Sequence, residues 1–113
     1  MARDLSFWKI SNKADMENHS IYTALSDEVY LNNVAEIPMV QIQNDINEVF
    51  KDWENNNNQF YEKGEEAFEL MLTKQFARID SHRMTQGNLN KIIDILAAYD
   101  CPLYDSAIDM RFE

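Results

Sequence analysis

FELMLTKQFARIDS, residues 68–81, is the stretch whose reading decides the fold. Phe68, Leu70 and Leu72 alternate with Glu69, Met71 and Thr73, the period-2 pattern of a strand with one face buried. Gln75 to Ser81 reads as a second strand, so the chain must reverse tightly near Thr73-Lys74-Gln75. No Asn-Gly or Asp-Gly pair sits there, which leaves the turn type and register open.

Working outward, each side of this hairpin carries a helix. Upstream, Met39, Ile42, Ile46, Val49, Phe50 and Trp53 fall on one stripe of a 3.6-residue period. Pro38 precedes them, where a missing N–H costs nothing. The asparagine run Asn55 to Asn58 ends the helix, because asparagine favours turns over helix interiors. Gln59 to Glu62 suits a further short strand, with Gly64 as its turn. Downstream, a helix is expected from Gln86 to Tyr99 with Thr85 as N-cap and a buried stripe of Leu89, Ile92, Ile93, Leu96 and Ala97. Pro102 stops it.

The two ends supply the outer strands. Leu5 to Ile10 is apolar on both faces and reads as an internal first strand. Ile108, Met110 and Phe112 alternate with Asp109, Arg111 and Glu113 as a terminal strand with one wet face. Ser11 to Glu17 is polar enough for a loop, and His19 to Leu31 suits either a short helix or an extended segment. The order strand, helix, strand, strand, helix, strand predicts an α+β, ferredoxin-like βαββαβ sandwich. It would be an antiparallel sheet with two helices on one face, the first and third strands central, and an insertion after strand 1.

A length of 113 residues allows one domain, 1–113, and 45% hydrophobic residues suffice for its core. The sole cysteine, Cys101, excludes an intramolecular disulfide and points to a reducing compartment. The opening MARDLSFW has no apolar run of the kind a signal peptide needs, so a cytoplasmic location is expected. Twenty acidic against ten basic residues give a net charge of −10, which repels nucleic-acid backbones and anionic membranes and steers basic partners inward. The same charge also serves solubility alone.

The residue types that carry chemistry are present without their spacing. In Asp80-Ser81-His82, neighbours on a strand point to opposite faces, and no glycine-flanked elbow surrounds the serine. Cys101 follows a helix C-terminus beside Asp100, the wrong place for a lowered thiol pKa. The two histidines lack metal-ligand spacing, no calcium-loop pattern occurs, and two glycines cannot form a phosphate loop, so no cofactor or metal is expected. An enzyme built around a pocket of Asp80, His82 and Tyr104 is the minor alternative.

The segments FELMLTKQFARID (68–80), NLNKIIDILAAYDCPLYD (88–105) and MRF (110–112) resemble those of small bacterial proteins, and small acidic α+β proteins of this kind resemble toxin-immunity proteins. That resemblance implies a non-catalytic inhibitor of a basic toxin, such as a nuclease, and assigns no residue a role. Surplus aromatics near carboxylates define the expected contact set: Asp52, Trp53, Glu54, Tyr61, Glu62, Glu65 and Glu66. Trp8, Tyr61 and Tyr104 are the aromatics expected at an interface. The alternative is a homodimeric housekeeping or regulatory domain, associating through Met71, Arg78 and Met110 on an open sheet face or edge.

Overall fold

The computed structural model describes residues 2–11 and 17–112, and these described residues form seven strands and three helices. In chain order they are β1 (Ala2–Phe7), α1 (Asn18–Ser26), α2 (Met39–Val49), β2 (Glu54–Asn56), β3 (Phe60–Lys63), β4 (Glu66–Leu72), β5 (Ala77–His82), α3 (Gln86–Ala97), β6 (Leu103–Asp105) and β7 (Met110–Phe112). All strands join one antiparallel sheet in the order β2-β3-β4-β5-β1-β6-β7. The fold is α+β, with a larger sheet than the four strands expected from the sequence.

The central hairpin forms as its alternation requires. Leu70 pairs with Ile79 and Leu72 with Ala77, and the Thr73 amide closes the turn on the Phe76 carbonyl at 2.8 Å. Phe68, Leu70, Ala77 and Ile79 point to one face, with Leu5 and Phe7 of the adjacent β1 beside them. Against that face lie α2, through Ile42, Ile46 and Phe50, and α3, through Leu89, Ile92, Ile95 and Leu96. Ile95 belongs to the buried stripe in place of Ala97, which is exposed. Thr85 caps α3 as expected, its hydroxyl accepting from the Asn88 amide at 3.2 Å.

Three elements enlarge the sheet. Glu54–Asn56 pairs with β3, and the reversal places Asn57 and Asn58 both at φ +58°, a left-handed pair that asparagine tolerates. Leu103–Asp105, for which no strand was expected, takes the place beside β1 that the terminal strand was expected to fill. Met110–Phe112 then pairs with β6 and becomes the sheet edge. Strand count and order therefore differ from a four-stranded sandwich, because short ladders at both ends of the sheet add strands to it.

The expected insertion becomes α1, and it packs on the other side of the sheet. Ile21 and Leu25 meet Trp8, Phe76 and Tyr104 in a second cluster, whose strand residues alternate with those of the first. Gln75, only 3% exposed, ties the following segment down by donating to the Leu31 and Val34 carbonyls and accepting from the Leu31 amide. The loop expected at 11–17 lies largely outside the described residues. Among the described residues no helix is long and apolar enough to cross a membrane.

Candidate functional site

The second face of the sheet is covered at one end and open at the other. α1 lies over β1, β5 and β6, where its apolar residues fill the second cluster. Polar bonds fasten it. Tyr22 Oη donates to Asp4 Oδ2 at 2.6 Å, and Arg78 Nη1 reaches the Ser26 hydroxyl at 3.4 Å. Ser106 Oγ donates to Asp4 Oδ1 at 2.8 Å from the β6–β7 turn. Arg78 also pairs with Asp4 at 3.4 Å and Asp80 at 3.1 Å. Burial alone would raise the Asp4 carboxyl, but the two hydroxyls and the guanidinium outweigh it and hold it below the usual carboxylate range. Both partners of this knot are therefore charged at neutral pH.

Beyond α1 no described element covers the sheet. Register places Phe60 opposite Glu69, and Glu69 opposite Asp80, which is opposite Asp4. The next row sets Glu54 opposite Glu62, then Ala67 and His82. Like charges directly opposite on adjacent strands destabilise a sheet. Arg78 compensates Asp4 and Asp80, whereas no ion pair with a described cation forms at Glu54, Glu62 or Glu69. Phe60, half exposed, stands in the middle of these carboxylates. A shallow cleft of about 210 Å³ runs past Phe60, Glu62, Glu69, Asp80 and His82. A larger one of about 550 Å³ follows the end of β4 past Glu69, Met71 and Arg78 toward Glu28.

The sequence-derived contact set is split by the fold. Tyr61 is a core residue, 1% exposed, stacked on Phe68 at 4.6 Å and hydrogen-bonded to Gln43 (2.7 Å) and Asn47 (2.5 Å). That corrects its expected place at an interface, and Trp8 and Tyr104, both fully buried, are corrected likewise. The parity of β3, with Tyr61 paired to Phe68, turns Tyr61 inward and its neighbour Phe60 outward.

Asp52, Trp53, Glu65 and Glu66 line a separate cleft of about 620 Å³ between α2, the β3–β4 turn and α3. Lys63, Arg83 and Lys91 share that cleft, so its charge is mixed. Trp53 packs edge-on against Phe50 and is half-buried. Glu66 accepts from the Thr85 amide (2.8 Å) and Asn88 Nδ2 (2.9 Å) at the start of α3, and these bonds hold its carboxyl below the usual range. Only Glu54 and Glu62 reach the bare half of the sheet. Phe60, Glu69 and Asp80 were missed there, although the β4 alternation already set Glu69 on the wet face.

No nucleophile is assembled among the residues singled out for chemistry. Ser81 Oγ donates to the Arg3 carbonyl at 2.7 Å on the helix-covered face, away from Asp80 and His82. Cys101 is buried, and burial pushes its thiol up to about 11 against the opposing pull of Lys9 and Arg111. Among the described residues no three of His, Cys, Asp or Glu gather as metal ligands. The chain matches no family model, no curated protein and no solved structure at a significant level.

Proposed function

We propose that the chain is a non-catalytic binding domain whose bare half-sheet docks a basic protein, and that it serves as an immunity-type inhibitor of a basic bacterial toxin in the cytoplasm. The observation that supports this reading is the pairing of Glu54 with Glu62 and of Glu69 with Asp80 across adjacent strands, around exposed Phe60. Such pairs oppose folding, and a partner's lysines and arginines would relieve them on binding. Phe60 and Met71 supply apolar contact at the centre, and the carboxylates supply orientation and a fast approach. The net charge of −10 acts in the same direction at longer range. We also read the inner path β1-α2-β4-β5-α3-β6 as a ferredoxin-like βαββαβ core with β2, β3 and β7 added; the inner order β4-β5-β1-β6 supports it.

Co-purification from the native host in low salt tests the function. A basic protein should be retained, released by salt, and toxic when expressed without this chain. Retention of no basic protein, or of one harmless when expressed alone, would defeat the inhibitor reading.

A further inference from the structure

Arg78 stands at the border between the covered and the bare halves of the second face, and it is bonded in both directions. Toward α1, Nη1 reaches the Ser26 hydroxyl at 3.4 Å, Nη2 lies 3.4 Å from Asp4 Oδ2, and the guanidinium sits 5.5 Å over the Tyr22 ring. Toward the bare half, Nε donates to Asp80 Oδ1 at 3.1 Å. The two sides are unequal. The Asp4 side chain is 24% exposed and that of Asp80 44%, so the outer bond is better screened and costs less to give up. An acceptor is also left over on the inner side. Register sets Ser6 directly opposite Arg78, and its hydroxyl, in a residue 1% exposed, has no partner among the described residues. Glu69 and Asp80 face each other across β4 and β5, and with Arg78 they line the cleft of about 550 Å³. Two carboxylates on adjacent strands suit the planar fork of a guanidinium better than the point charge of an ammonium.

We infer that Arg78 holds the place of a partner's arginine: on docking, the incoming guanidinium bridges Glu69 and Asp80, and Arg78 releases Asp80 and closes on Asp4, Ser26 and the Ser6 hydroxyl. This rests on the docking surface proposed above, and it adds which cation that surface takes and what the cation displaces. Asp80 exchanges one guanidinium for another, and Glu69 gains a partner. In the free chain Arg78 is needed where it is, because Asp4 and Asp80 lie directly opposite on β1 and β5 and would otherwise repel. Once a partner neutralises Asp80, that need falls to Asp4 alone, and the inner bonds of Arg78 already serve it.

Octa-arginine, titrated into the isotope-labelled chain in low salt, is the probe. By NMR the Arg78 Nε–H resonance should shift together with the amides of Glu69 and Asp80, and octa-lysine should bind at least about threefold more weakly. Arg78→Lys keeps the net charge of −10 but removes the Nε–H that holds Asp80. Its ammonium stays with the less exposed Asp4 and leaves Asp80 open, so octa-arginine should bind this variant about threefold more tightly than wild type. In an Asp80→Asn background the same change should bring no gain. Equal or weaker binding by Arg78→Lys, a gain that persists with Asp80→Asn, equal binding of octa-lysine, or an unmoved Arg78 Nε–H while the amides of β3 and β4 saturate would overturn the exchange and leave the docking surface standing. A probe that shifts no amide of β3, β4 or β5 would overturn both.

Discussion

Replacing Asp4 with asparagine removes the charge on which the α1 side of the sheet is tied. The carboxylate accepts from Tyr22 at 2.6 Å and Ser106 at 2.8 Å and attracts Arg78 at 3.4 Å. Its side chain is about a quarter exposed, so the low end of the range for charged hydrogen bonds applies. Asparagine keeps one acceptor oxygen and loses the other bond together with the attraction to Arg78. The net cost is about 2 kcal/mol, or a melting temperature lower by roughly 8 °C for a domain of this size. Urea unfolding followed by far-ultraviolet circular dichroism measures it, and a cycle with Tyr22→Phe should return a coupling of about 1 kcal/mol. The sign with pH is fixed as well. A carboxyl held below its unfolded value stabilises fully above about pH 4 and loses that contribution as pH falls through the folded value. The gap between wild type and variant should therefore close in acid. A variant within about 0.5 kcal/mol of wild type at pH 7, or a gap that widens in acid, would refute the reasoning.

Other perturbations reach the remaining parts of the molecule. Tyr61→Phe leaves Gln43 and Asn47 without their shared hydroxyl and should cost about 1–2 kcal/mol in the same urea assay. Glu62→Gln should raise the melting temperature by about 1–2 °C in low salt and by nothing measurable in high salt, since it relieves the pair with Glu54. At pH 8 the Cys101 thiol, buried and raised to about 11, should resist a thiol reagent until urea unfolds the chain; reaction at the rate of a free thiol would place it at the surface. Thr85→Ala should cost about 1 kcal/mol by freeing the Asn88 amide at the start of α3.

What was legible in the sequence was local. The alternation of Phe68, Leu70 and Leu72, the helical stripe through Ile42 and Ile46, and the Thr85 cap need only neighbours along the chain, and all three stand in the structure. What was not legible depends on partners far away. Glu54–Asn56 is three polar residues that extend only because β3 offers them a ladder. Leu103–Asp105 becomes a strand because Ser6 and Phe7, nearly a hundred residues earlier, pair with it. The misplacement of Tyr61 has the same origin. Adjacent residues on β3 face opposite ways, and which of Phe60 and Tyr61 turns outward is settled by pairing with Phe68. Once that parity is known, the bare face gains Phe60 beside Glu69 and loses the residue that looked most like an anchor.

The footprint of a bound basic protein on this chain tests the central claim most directly. In backbone amide NMR spectra of the labelled chain, titrated with the basic protein retained from its host, shifts should concentrate at Phe60–Glu62, Ala67–Met71 and Arg78–His82. Glu62→Gln combined with Glu69→Gln should weaken the titration and flatten its salt dependence. Shifts gathered instead on the outer faces of α2 and α3, or binding indifferent to both substitutions, would contradict the assignment of the bare half-sheet as the docking surface.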